Sequence, residues 1–184
     1  MTSFVSLLFA LLLALVPVAA SAEKADRDKP MNIEADNLLH DELKQVSVFT
    51  GHVVLTKGTM VMRGERIEIR TDADGYQFGV ILPEPNKRAF FRQKREGVDE
   101  FMEGEGQRIE YDGKADRVRL IDNAEVRRYR GSVLGDQMTG KLITYENLTD
   151  VFTIDGQRNA DGGKTSGGRV RATLAPRNTT LDKK

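Results

Sequence analysis

The sequence predicts an all-β fold of stacked hairpins, either a roll or a folded-over pair of sheets. Three observations carry that prediction. Apolar and polar residues alternate with period two over many short runs. Turn pairs containing Gly or Asp separate those runs at short intervals. A small residue followed by a polar one recurs ahead of a hydrophobic pair, at Ala35-Asp36, Gly64-Glu65, Gly106-Gln107 and Gly135-Asp136. Such a recurrence is the mark of units that pool their apolar sides into one core.

The first 22 residues stand outside this pattern. They carry a long apolar run and end in Ala20-Ser21-Ala22, which reads as a cleavable secretory signal. Pro17 and the small-residue site favour cleavage over a retained anchor. Residues 23–30 are charged and aperiodic, a flexible leader by expectation. Met31, Ile33 and Ala35 then share one side of a first strand. Phe49, Gly51, Val53 and Leu55 share one face of a second. Lys57-Gly58 turns the chain, and Met60 and Met62 resume the inward face. Ile67 and Ile69 follow after a bulge expected at Gly64-Glu65.

Asp72, Asp74 and Gly75 mark a turn, Tyr76 to Leu82 a short strand, and Pro83 and Pro85 its end. Ala89 to Lys94 is a strand and 95–100 a loop. Phe101 to Tyr111 forms the next run, closed by Asp112-Gly113. Val118 and Leu120 begin a strand that Asn123-Ala124 interrupts, and Val126 to Tyr129 resumes it. Val133 to Asp136, Met138 to Tyr145 and Val151 to Ile154 complete the series. Residues 156–184 are Gly-rich, polar and mildly basic, the composition of a flexible tail. The domain therefore spans 31–155.

Composition narrows the function. The 28 basic and 28 acidic residues balance, which argues against a nucleic-acid partner. Cysteine is absent, so neither a disulfide nor a Cys/His metal site is expected, and the core alone must hold the fold. His40 and His52 read as surface histidines. No nucleophile elbow or phosphate loop is present, so no catalytic residue, metal or cofactor is assigned. Basic residues crowd around Phe90 and Phe91, and Arg92 and Lys94 are the candidates for contact with anionic head groups. Met31, Met60, Met62, Met102 and Met138 fall in or near inward positions, as core or as a soft lining for lipid chains.

The stretches "PMNIEADNLLHDELKQVSVFTGHVVLTKGTMVMRGERIEI", "RAFFRQKREGVDEFMEGEGQRIEYDGKADRVRLIDNAEVRR" and "GDQMTGKLITYE" together resemble the OstA-like family of periplasmic lipopolysaccharide-transport proteins. The resemblance implies a twisted, V-shaped open β-jelly roll of two facing antiparallel sheets. It implies a non-enzymatic carrier in the periplasm that holds lipopolysaccharide acyl chains in a groove. Its partners would be a bitopic inner-membrane component and the N-terminal domain of an outer-membrane translocon, with head-to-tail homo-oligomers between them. Family positions in contact with lipid match Met31, Ile33 and Phe91. Periodicity adds Phe49, Val53, Leu55, Met60, Met62, Met102, Ile109 and Leu120. The strands at Met31, Ile33 and Ala35 would meet the inner-membrane partner, and those at Leu142, Thr144 and Val151 the outer-membrane one. A carrier requires an interior with room for a foreign chain. The alternatives are a protein that only polymerises through strand edges, another soluble part of the same bridge, or a polysaccharide hydrolase.

Overall fold

The computed structural model describes residues 26–95, 98–156 and 168–176. The secretory signal expected over 1–22 and most of the tail lie outside those residues. Among the described residues twelve strands make up the regular structure: β1 (Met31–Glu34), β2 (Asn37–Asp41), β3 (Val46–Lys57), β4 (Met60–Thr71), β5 (Gln77–Leu82), β6 (Ala89–Lys94), β7 (Glu100–Gly106), β8 (Arg108–Asp112), β9 (Arg117–Arg130), β10 (Val133–Glu146), β11 (Val151–Asp155) and β12 (Arg171–Thr173). Among the described residues there is no helix. All pairings are antiparallel and form one hydrogen-bonded network.

That network is folded into two leaves. The long strands β3, β4, β9 and β10 cross from one leaf to the other, and the short strands pair with one half or the other. β6 faces Val61–Arg63 of β4, whereas β5 faces Arg66–Thr71 of the same strand. β7 likewise takes Glu125–Arg130 of β9, and β8 takes Arg117–Ile121. Leaf A therefore runs β1, β3, β4, β6, β7, β9, β10, β12. Leaf B runs β2, β3, β4, β5, β8, β9, β10, β11. The expected jelly roll of facing antiparallel sheets is what the chain adopts.

A seam divides the leaves, and bulges build it. Opposite β4, three residue steps of β3 (Thr50 to Val53) match two of β4 (Arg66 to Gly64). The phase break expected at Gly64-Glu65 is there, but the extra residue sits on the facing strand, at Gly51 and His52, both with positive φ. β9 and β10 repeat the device. Asp122 and Asn123 (φ 55° and 52°) supply the extra residue opposite Gly140–Leu142. An extra residue bends a strand and increases its twist, which turns the sheet over on itself. Asn123-Ala124 therefore bends β9 without ending it, and Val133–Glu146 is likewise a single strand. Gln107 interrupts the long run into β7 and β8 at the same seam, where its N–H donates to the Asp122 carbonyl at 2.9 Å. β2, unforeseen as a strand, follows the same break after Ala35-Asp36.

The repeat marks this seam, with one correction. Gly135 lies at a separate irregularity of β10 between Leu134 and Gln137. The seam position is Gly140, and "GKLITY" is the phrase in phase with "GERIEI" and "GQRIEY". Three residues past each seam residue comes the inward apolar group: Leu38, Ile67, Ile109 and Ile143. The seam glycines are small because backbone passes close. A Cβ on Gly64 would stand 2.5 Å from the Leu82 carbonyl oxygen, and one on Gly140 would stand 2.9 Å from that of Asp155. At Gly135 the nearest atom is the Arg128 carbonyl oxygen at 3.3 Å.

The leader and tail are also tied down where they are described. Asp26 is buried, accepts from the Thr59 N–H at 2.7 Å and hydroxyl at 2.5 Å, and from Gln93 Nε2 at 3.0 Å. It thereby caps the β3–β4 turn, so the leader is anchored from Asp26 onward. Residues 171–173 return to pair with Gln137–Thr139.

The close backbone contacts at the seam glycines are open to substitution. Gly64→Ala and Gly140→Ala should each destabilise by about 2 kcal/mol or more, in the range of overpacking. Gly135→Ala should cost less than half as much. Thermal melting of the three variants would reject the seam assignment if Gly135→Ala were the most damaging.

Candidate functional site

Antiparallel registry lines up one apolar row on the inner face of each leaf. In leaf A the partners run Ile33, Leu55, Met62, Phe91, Gly104, Val126, Met138, Ala172. In leaf B they run Leu38, Phe49, Ile67, Ile81, Ile109, Leu120, Ile143, Ile154. Period-two alternation keeps every member of a row on one face. The rows meet across the roll. A Cβ on Gly104 of leaf A would lie 2.6 Å from Leu120 Cδ1 of leaf B and 3.4 Å from Phe91. Glycine at that rung lets the leaves close.

Burial divides the rows into a closed middle and two softer ends. Val53, Leu55, Met60, Met62, Phe91, Met102, Ile109 and Leu120, all expected inward, are buried with at most 3% exposure. Each such side chain contributes about 1.5–3 kcal/mol to the core. Met31, Ile33 and Phe49 are half-buried against that core at one end, and Met138, Phe152 and Ile154 at the other. Leu38 is 60% exposed at the first mouth. A cleft between Met102, Val126, Met138 and Phe152, bordered by Arg128 and Asp136, measures only about 10 Å³. Ligand pockets measure about 300–1,000 Å³. Among the described residues the middle of the interior is thus closely packed, and Met31, Ile33, Leu38 and Phe49 leave apolar surface open at one mouth.

The edge strands need one correction. Met31 and Ile33 lie on β1, one free edge of leaf A, and Val151 lies on β11, one free edge of leaf B. Ala35 sits at the seam between β1 and β2. Leu142 and Thr144 belong to β10 and are paired on both sides, with Asp155 and Thr153 and with Ile121 and Arg119. Their backbone donors and acceptors are taken, so they are not an edge.

The outer face is ionic. Glu105 and Glu125 stand directly opposite each other, a repulsive pairing. Arg88 neutralises it at 2.5 and 2.9 Å, and Arg127 adds contacts of 3.2 Å to each. Burial works to raise the Glu125 carboxyl, yet the bonds from Arg88 and Gln137 hold it below its ordinary value. Arg92 and Lys94 point outward, opposite to Phe91. Arg92 lies 3.6 Å from Glu103 and stacks on Phe101 at 4.4 Å; Lys94 is 3.6 Å from Asp99. The basic cluster thus faces acidic partners. His40 is bonded to Ser47 and Glu42, and His52 to Asp36, all at the surface. Among the described residues no set of three His, Cys, Asp or Glu is placed to hold a metal.

Away from the seam the free lips of the leaves are clamped. Arg95, just past β6 in leaf A, is bonded to Glu100 and also reaches Asp150 in the β10–β11 turn of leaf B. Asp150 accepts from the Tyr145 hydroxyl at 3.1 Å as well. Burial works against the charge on Asp150, but the Arg95 bond outweighs it and keeps the carboxyl below its ordinary 3.8. Glu100 is likewise held below 4.5, burial being overcome by Arg130 and Arg95. No periodicity signals this clamp, because its partners are 55 residues apart.

Fold and site define a class: a two-leaved β-jelly roll with an apolar interior, open-edged at both ends. The sequence pattern described as "LptA/(LptD N-terminal domain) LPS transport protein" matches residues 32–164. The chain belongs to that family. It is 27% identical over 168 residues to the lipopolysaccharide export system protein LptH of Pseudomonas aeruginosa, covering 91% of this chain and 90% of that one. It is 29% identical over 148 residues to LptA of Escherichia coli, covering 80% and 77%. The crystal structure of LptH, titled the LptA homologous periplasmic component of the lipopolysaccharide transport device of Pseudomonas aeruginosa, superposes with a TM-score of 0.69. It covers 83% of this chain and 99% of that chain at 24% identity, a likeness that speaks to the fold.

The clamp carries two expectations. Arg95→Ala should lower stability by about 2 kcal/mol, the order of a charge-assisted hydrogen bond, read as a fall in melting temperature. Depressed carboxyls contribute stability above their unfolded values and lose it as pH falls through the folded ones. Melting temperature should therefore fall as pH drops below about 4.5, and that fall should be shallower in Arg95→Ala. An equal slope in both proteins would count against the clamp.

Proposed function

We propose that this chain is the periplasmic span of a lipopolysaccharide export bridge, carrying acyl chains between its two leaves. The observation that carries the reading is the pair of apolar rows, unbroken by any charged side chain from one edge to the other and half-exposed at both mouths. Water-filled ends would not sustain such rows unless something apolar passed along or joined there. Lipid enters at Met31, Ile33, Leu38 and Phe49 and travels past Phe91 and Met102. Sugars and phosphates stay outside, where Arg92 and Lys94 face solvent. The N-terminal edge meets the inner-membrane component and the C-terminal edge the outer-membrane translocon, by strand addition. Copies join head to tail where more than one is needed. The chain itself hydrolyses nothing.

Because the middle is packed, the leaves must part for an acyl chain to pass. Their contact suits that. The methionines among the inward residues repack at low cost, and the lips are held by the Arg95 clamp, whose loss leaves the backbone ladders intact. The packed middle is also the observation that favours a purely structural, polymerising protein. Light-activated crosslinkers at Ile33, Phe91 and Met102 separate the readings. Labelled lipopolysaccharide should attach at these inward sites and not at outward Glu34 or Glu110. Adducts at none of the three would favour the structural role. In a handover assay Ile33→Asp should reduce transfer by about tenfold, the effect of about 1.4 kcal/mol. Glu34→Ala, on the opposite face, should leave it nearly unchanged, and equal losses would overturn the assignment of faces.

A further inference from the structure

The Arg95 clamp stands where the apolar interior meets solvent, and other charges gather around it. Among the described residues, three guanidinium groups and three carboxylates meet at this corner of the lips. Arg95 Nε donates to Asp150 Oδ2 at 3.1 Å, and the same guanidinium bonds Glu100. Arg130 donates to Glu100 at 2.9 Å. Arg128 donates to Asp136 at 3.0 Å and lies within electrostatic reach of Glu100 and Asp150. Its Nε is buried and has no hydrogen-bond partner.

Apolar surface lies directly beneath. Arg128 and Asp136 border the cleft lined by Met102, Val126, Met138 and Phe152. Phe152 stacks on Tyr145 at 4.4 Å, and the Tyr145 hydroxyl donates to Asp150 at 3.1 Å. The corner thus sets cations over an apolar cleft, the arrangement that an amphiphile with an anionic head requires. The carboxylates on the cations are divided between the leaves. Glu100 shares leaf A with Arg95, whereas Asp150 belongs to leaf B. Parting of the leaves would leave Arg95 its bond to Glu100 and take Asp150 away. A mostly buried guanidinium that loses a carboxylate is left with uncompensated charge. Its planar fork of donors fits a phosphate as well as a carboxylate.

We propose that Arg95 exchanges Asp150 for a phosphate on the head of the carried amphiphile, so that the side chain closing the empty lips is the one that binds the cargo. This rests on the carrier reading above. The exchange offsets the cost of opening, because the arginine passes from one oxyanion to another. Arg128 and Arg130 stand beside it to share the charge of the head group.

Binding is measured for the chain from Glu23 to Lys184 with three probes: lipopolysaccharide in detergent, the same lipid after enzymatic removal of its phosphates, and inorganic phosphate. Arg95→Ala should weaken binding of the intact lipid at least about tenfold and leave the dephosphorylated lipid bound no more weakly. Asp150→Asn removes the competing carboxylate with little change of shape and should tighten binding of the intact lipid by about threefold or more. Glu110→Gln changes the net charge equally on the outer face, where Glu110 pairs with Arg108 and Arg119, and should alter neither. A clamp that merely held the lips shut would let Arg95→Ala and Asp150→Asn both bind the intact lipid more tightly, and that result would overturn the proposal. Equal gains from Glu110→Gln and Asp150→Asn would overturn it too. Inorganic phosphate should compete with the intact lipid only in large excess; competition at the lipid's own concentration would assign the site to the free ion instead. Should Arg95→Ala fail to fold, Arg95→Lys keeps the charge, loses the fork and should still weaken binding of the intact lipid alone. A parent chain that binds neither form of the lipid would defeat the carrier reading, and the exchange with it.

Discussion

The two leaves face each other because long strands bend at one shared seam, and the rest of the structure depends on that bend. Bulges at Gly51-His52 and Asp122-Asn123 supply the extra residue in the paired long hairpins. Each one shifts the phase of the facing strand, so that Met62 and Ile67 on β4 both point inward although they are an odd number of residues apart. Without the shift, one half of β4 and of β10 would send its apolar side to solvent, since a one-residue slip exchanges the faces. The seam thus turns a flat amphipathic sheet into a closed interior.

Closure has a consequence for a carrier. A sheet folded on itself along one line has a hinge on one side and lips on the other. The hinge is backbone hydrogen bonding and tight glycine contact. At the lips, Arg95 binds Glu100 on its own leaf and Asp150 across the gap. Interiors pack densely and resist small deformations, so under the proposed carrier reading a passing chain would be accommodated by rotation of the leaves about the seam and not by a permanent void. The row members differ accordingly: branched Ile67, Ile81, Ile109 and Ile143 line leaf B, while flexible Met62, Met138 and the neighbouring Met60 and Met102 line leaf A.

Cross-strand carboxylates and guanidinium groups on leaf A neutralise each other in one web around Arg88, Arg127, Glu103, Glu105 and Glu125. Such half-exposed pairs add little stability individually. Their effect is to keep the outer face solvated and unattractive for face-to-face contact. The strand edges, with unpaired backbone donors and acceptors, are then left as the open part of the surface.

Alternation and turn residues alone determined the all-β class, the strands around Leu55, Met62, Phe91 and Ile109, and which side of each faced inward, because period two is written in consecutive residues. Family phrases settled the jelly roll. Only the tertiary structure decided that Leu142 and Thr144 lie inside the sheet, that Gly140 rather than Gly135 marks the seam, and that Arg171–Thr173 joins the edge. It also decided that Arg95 reaches Asp150 and that the middle of the interior is full. These depend on which strands become neighbours and how closely two leaves approach, and neither strand order nor leaf separation is encoded in the spacing of residues along one strand.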